Sequence, residues 1–346
     1  MKPEQWQTLV DVVNGENAEL PVAFIIDSPW LPGWCGHSIL DYYGSDELWM
    51  DCNLEAIRTF SEVIFLPGFW SEFGMCTEPS AFGCRPLWNE HDLPFAEPVA
   101  ADAEDMESLE MPDPRKHGLP PLMLGRLERM QPRIEDAGHV LKFAVARGPL
   151  NIASFVRGST ELMMDLKTQP DAARAMLRTI TEFLVDWLQL QKEAFPTIEG
   201  ILLLDDVVGF LSEDDFLEWG KPYLEQAFGA FDAEVRFFHN DAEGTQSAPH
   251  LSDAGVNLFN FSSDHGLSEM RELVGDDVAL LGNLPPRDVL ANGSPDEVRE
   301  GVREMFEDMP DGRVLPSCGG GMPPEVPTEN IRAFLDAVDK HKEGHA

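Results

Sequence analysis

The stretch Val235-Arg-Phe-Phe-His-Asn-Asp241 begins as an apolar run and ends on an imidazole and a carboxylate two positions apart. Side chains alternate along a strand, so His239 and Asp241 share one face of an extended chain. Runs that are apolar on successive positions suit parallel strands covered on both sides. Eight such runs punctuate the chain, at residues 22–26, 63–66, 143–145, 201–204, 235–238, 258–261, 278–281 and 313–315. Most of the stretches between them carry helical periodicity. Residues 159–194 hold a Leu/Met stripe, and residues 295–309 are opened by Ser294 as an N-cap. Strand and helix alternating eight times predict an α/β protein of the (β/α)8 TIM barrel type.

The ends of these runs differ from their beginnings. Most run straight into polar or turn-forming residues: Asp27, Pro67-Gly68, Arg147-Gly148, Asp205-Asp206, His239 to Asp241, Ser262 to His265, Asn283 and Ser317-Cys318. In a barrel all of these lie on the C-terminal rim, where barrel enzymes hold their chemistry. Two segments fall outside the repeat. Residues 1–20 read as an N-terminal helix laid against the barrel. Residues 84–140, rich in proline and acids, form a long excursion after the second strand, of the kind that serves as a lid or partner surface. The whole of 1–346 reads as one barrel domain.

Composition narrows the function. The 346 residues carry 62 acidic and 25 basic side chains, a formal net charge of −37. Such a surface repels phosphate backbones and anionic headgroups, which excludes nucleic acid and membrane as expected partners. No apolar run approaches the roughly 20 residues that span a bilayer, and the first residues lack a basic-then-apolar leader. Five cysteines, an odd number in a long chain, do not form a disulfide framework. A reducing cytoplasm is the expected compartment.

Cys318 sits 77 residues beyond Asp241, after the last apolar run. An imidazole and a carboxylate on one face, joined by a thiolate from another strand, supply three of the four ligands of a zinc ion. Three protein ligands and one open position describe a catalytic metal. Taken singly, each residue has a plainer role: His239 and Asp241 as a hydrogen-bonded pair ending a strand, Cys318 as a small buried hydrophobe. A mixed nitrogen, oxygen and sulfur set also admits cobalt or iron.

Three segments resemble the uroporphyrinogen decarboxylase superfamily: residues 148–158 (Gly-Pro-Leu-Asn-Ile-Ala-Ser-Phe-Val-Arg-Gly), the turn Leu281-Gly-Asn-Leu-Pro-Pro286, and the glycine loop with the helix start at 319–330. Together they span roughly residues 140–340 in matching order. The resemblance implies a TIM barrel and one of two chemistries: metal-free decarboxylation of a tetrapyrrole, or zinc-dependent methyl transfer between a small molecule and a corrinoid (cobalamin) protein. In the methyltransferase branch it implies metal ligands at His239, Asp241 and Cys318, with a carboxylate at Asp241 where thiolate is usual. It also suggests Asp264, after the sixth strand, as a fourth and exchangeable ligand.

The decarboxylase reading fits the residues poorly. No arginine precedes Arg58, so an octa-anionic substrate lacks a cationic cluster near the N-terminus. The tyrosine and histidine that the resemblance implies for decarboxylation fall on Phe155 and Gly320. Arg147 and Arg157 are the nearest cations for that chemistry. The expected activity is therefore zinc-dependent methyl transfer between a small thiol or methyl ether and a separate corrinoid protein. Asp205 and Asp206 are candidates for proton relay or substrate positioning. Trp30, Trp34, Phe69 and Trp70 crowd the first two rim loops as pocket walls or core, and Glu72 and Glu78 are acids of that same region. The run Gly319-Gly320-Gly321 permits close backbone approach at the rim.

Overall fold

In the computed structural model, which describes residues 1–16, 20–26 and 29–345, each of the eight apolar runs forms a strand. They are β1 (Ala23–Ile25), β2 (Ile64–Leu66), β3 (Phe143–Arg147), β4 (Gly200–Leu204), β5 (Val235–Asn240), β6 (Leu258–Phe261), β7 (Ala279–Leu284) and β8 (Val314–Cys318). Strands β3 to β8 make one parallel sheet in chain order, and β1 pairs in parallel with β2. β1 packs beside β8, which brings the two sheets round into one barrel wall. Strands β3, β5, β7 and β8 continue beyond their apolar runs, through Arg147, Asn240, Asn283 and Cys318. Ladder pairing uses only backbone N–H and C=O groups, so it persists where the side chains turn polar.

Among the described residues no ladder joins β2 to β3. The chain leaves β2 at Pro67, which has no N–H to offer. The free edge of β3 is closed by a side chain instead. Val145 N–H donates to Gln191 Oε1 at 3.0 Å, and Gln191 Nε2 donates back to the Val145 carbonyl at 3.0 Å. Gln191 belongs to the long helix Pro170–Ala194, so a helix supplies what a neighbouring strand would.

Register orders the barrel interior into rows. Val145, Leu202, Phe237, Leu258 and Ala279 are successive ladder partners, and all lie in the inner apolar cluster. Two residues on, the next row is Arg147, Leu204, His239, Asn260, Leu281 and Leu315. Polar side chains enter the rows here, at Arg147, His239 and Asn260, and mark the start of the rim. At the other end, helix α1 (Pro3–Val13) closes the barrel with Trp6, Leu9, Val12 and Val13, which belong to the inner cluster. The Trp6 ring stands edge-on to Phe143 with centroids 5.4 Å apart, and its Nε1 donates to Glu234 Oε2 at 3.1 Å.

The excursion at 84–140 has structure of its own. It holds an antiparallel hairpin (Arg85–Leu87 and Phe95–Glu97), a short helix (Ala103–Glu107) and a long one (Pro120–Asp136). Arg126 and Arg129 of the long helix grip Asp46, at 2.9 and 2.6 Å. Phe95 of the hairpin meets Phe155 edge-on, with centroids 5.9 Å apart. The rim residue Asp27 lies outside the described residues.

Candidate metal centre

Past the row that holds His239, the inward parity carries Asp206 beyond β4 and Asp241 beyond β5. These two carboxylates and the imidazole of His239 are the group of potential ligands that the described residues bring together, with donor atoms all within 4.8 Å of one another. His239 Nε2 lies 3.8 Å from Asp206 Oδ1 and 3.9 Å from Asp241 Oδ2. Tetrahedral zinc with bonds of 2.0–2.2 Å sets its ligands roughly 3.3–3.6 Å apart. The two imidazole–carboxylate distances exceed this by only a few tenths of an ångström, and one nitrogen with two carboxylate oxygens is a donor set that suits a divalent cation. The imidazole is buried, while the two carboxylates keep contact with solvent, their side chains 34% and 48% exposed.

Of the four side chains that sequence assigns to a metal, His239 and Asp241 are in this group, and Cys318 and Asp264 are not. Along β8, Leu315 is an inner-cluster residue and Cys318 belongs to the outer one, packed between strands and helices. Its thiol donates to the Gly320 carbonyl at 3.4 Å. Asp264 is exposed, in a turn where its own N–H donates to Ser262 Oγ at 3.2 Å. The glycine loop after β8 presses against the group. A Cβ on Gly320 would stand 2.9 Å from Asp241 Oδ2, and one on Gly319 would stand 2.6 Å from the Ser263 nitrogen.

The paired acids separate by parity. Asp206 faces the cleft, and its carboxyl is raised above the usual range by its enclosure there, with Asp241 adding and His239 opposing. Asp205 is fully buried on the outer side and accepts the Leu150 N–H at 3.0 Å. Leu150 lies in the first turn of helix Pro149–Arg157, so Asp205 ties that turn to the end of β4. Burial raises the Asp205 carboxyl well above its ordinary value, against the amide donors that hold it. Gly148 is required beside it, since a Cβ there would come within 2.3 Å of Asp205 Oδ2.

A cleft of about 310 Å3 opens over the group, lined by Trp70, Glu72, Met75, Leu93, Arg147 and Leu204 among others. Leu93 reaches it from the excursion. A wider outer cleft shares Pro29, Leu93, Arg287 and Pro324 with it and is walled by Trp34. At the base, Arg147 is buried between two acids, with Glu72 at 2.8 Å and Glu78 at 3.4 Å. Burial raises the Glu78 carboxyl while Arg147 opposes the shift. A guanidinium already held by two carboxylates has little left for an anionic substrate. Arg157, the other cation considered for a decarboxylase, is bound to Asp165 at 2.8 Å and to the Ala100 carbonyl.

One residue that sequence reading passed over completes the centre. Asn260, the ladder partner of His239 on β6, lies with its Oδ1 2.8 Å from His239 Nδ1. A polar residue in the middle of the apolar run Leu258-Phe-Asn-Phe261 was the available signal.

The family model for uroporphyrinogen decarboxylase matches residues 34–341 of this chain. The methylated-thiol–coenzyme M methyltransferase of Methanosarcina mazei is 24% identical, over 83% of this chain and 72% of that protein. The uroporphyrinogen decarboxylase of Homo sapiens is 27% identical, over 59% of this chain and 59% of that protein. Among solved structures, a methyltransferase from Methanosarcina mazei superposes with a TM-score of 0.82 at 20% identity, covering 98% of this chain and 99% of that one. That likeness shows the fold.

Proposed function

The chain belongs to the uroporphyrinogen decarboxylase family, and within it we propose a zinc-dependent methyltransferase. It moves a methyl group between a small thiol or methyl ether and a corrinoid carried on a separate protein. The observation that carries this reading is the convergence of Asp206, His239 and Asp241 beneath a cleft. A zinc ion held there supplies Lewis acidity, which lowers the pKa of a bound thiol or polarises an ether oxygen. Asp206, His239 and Asp241 would hold the ion beside the cleft. Cys318 would then be a ligand only after the end of β8 rearranged, and Asp264 only after its turn did.

The rest of the cleft orients the substrate. Trp70, Met75, Leu93 and Leu204 give it an apolar wall suited to a methylated group, and narrow the access of water. The Arg147, Glu72 and Glu78 cluster packs against Trp70 and Met75 as a rigid ionic base. Asp205 keeps the β4 end and the helix after β3 in register, which is a positioning role. The corrinoid protein docks over the rim beside residues 84–140, where Leu87, Trp88 and Phe95 stand exposed. No helix among the described residues is long and apolar enough to cross a membrane, and the free thiols suit a cytoplasmic setting.

The test is an assay of the zinc-loaded protein with methylcobalamin and a panel of small thiols, read by mass spectrometry of the methyl thioether. Product is expected from the wild type, with a loss of about 100-fold or more in His239→Ala. Equal turnover by chelator-stripped protein contradicts the proposal, as does carbon dioxide release from a porphyrinogen.

A further inference from the structure

We propose that Asn260 sets the His239 imidazole for metal binding, by fixing the proton on Nδ1 and presenting an unprotonated Nε2 to the cleft. This inference rests on the proposed role of His239 as a ligand. The Asn260 side chain is fully buried, and its Nδ2 donates to the Leu281 carbonyl at 2.8 Å and the Cys318 carbonyl at 3.2 Å. Carbonyl oxygens only accept, so these two partners decide which end of the amide is nitrogen and consume both of its N–H groups. The oxygen end therefore faces His239 Nδ1 at 2.8 Å.

An amide oxygen also only accepts, so Nδ1 must carry the hydrogen. The opposite tautomer would bring two lone pairs together at that distance inside a dry wall, where an unpaired polar contact is costly. A neutral imidazole has one N–H, which leaves the Nε2 lone pair aimed between Asp206 and Asp241. The device spans four strands. His239 on β5 is held by Asn260 on β6, which is held by Leu281 on β7 and Cys318 on β8. It is an outer-shell support for a metal ligand, of the class whose loss typically weakens metal binding by about 10- to 100-fold.

The experiment uses metal-free full-length protein labelled with 15N-histidine, above the ordinary imidazole pKa, with His239 resonances identified by their loss in His239→Gln. Ring nitrogen shifts and couplings report the tautomer directly, and zinc affinity is then measured by chelator competition. The Nδ1–H form is expected in the wild type. Asn260→Asp keeps the acceptor and loses the two donors, so it should be less stable yet retain the tautomer and bind zinc within about 10-fold of wild type. Asn260→Leu should lose the single tautomer and weaken zinc binding by about 10- to 100-fold. If Asn260→Leu does not fold, the wild-type spectrum and Asn260→Asp still decide. An Nε2–H wild type overturns the inference even if zinc binds, as does unchanged affinity in a folded Asn260→Leu. An Nδ1–H wild type that binds no zinc overturns the metal reading instead.

Discussion

At the scale of single residues, Asp241 and Gly320 compete for the same few ångströms. A methyl group on Gly320 would meet Asp241 Oδ2, and the backbone there has φ +111°, which L side chains rarely adopt. Gly320→Ala is therefore expected to cost about 1–2 kcal/mol of stability and to weaken zinc binding about tenfold, by pushing a ligand out of place. Chelator competition beside urea unfolding measures both. Unchanged zinc affinity would mean that Asp241 is no ligand. His239 and Asp241 were legible because two positions on one strand share a face. The choice between Asp205 and Asp206 was legible too, had alternation been carried one residue past Leu204. The same count sets Ser317 on the inner side and Cys318 on the outer. Asn260 was missed because a lone asparagine inside an apolar run announces burial without naming its partner.

At the scale of elements, β3 depends on Gln191 as it would on a neighbouring strand. Gln191→Leu leaves the Val145 N–H and carbonyl buried without partners, so a destabilisation of about 2–4 kcal/mol is expected. Guanidinium unfolding checks it. A loss under about 0.5 kcal/mol would show that water or β2 replaces the glutamine. The strands themselves were readable from apolar runs, because burial on both faces leaves few alternatives. Their C-terminal ends were set too early at β3, β5, β7 and β8, since pairing continues through residues chosen for chemistry. The hairpin within residues 84–140 was not visible in the sequence. That hairpin is short and its Leu93 is half-buried, with no sustained period to betray it.

At the scale of the whole molecule, a charge of −37 means that most surface acids repel one another. Raising potassium chloride from about 0.1 M to about 1 M shortens the Debye length from about 10 Å to about 3 Å, and is expected to raise Tm by several degrees. Sucrose at equal osmolality serves as the uncharged control in differential scanning calorimetry. No rise beyond that control would mean that the acids are locally compensated. Against this anionic background, Asp206, His239 and Asp241 bring their ligand atoms within 4.8 Å of one another at the rim. Diffraction data from zinc-soaked crystals, collected on both sides of the zinc absorption edge, test their proposed role as ligands most directly. An anomalous peak bonded to Asp206, His239 Nε2 and Asp241 at about 2.0–2.2 Å is the expected result. A zinc peak elsewhere in the molecule, with none touching His239, would contradict it.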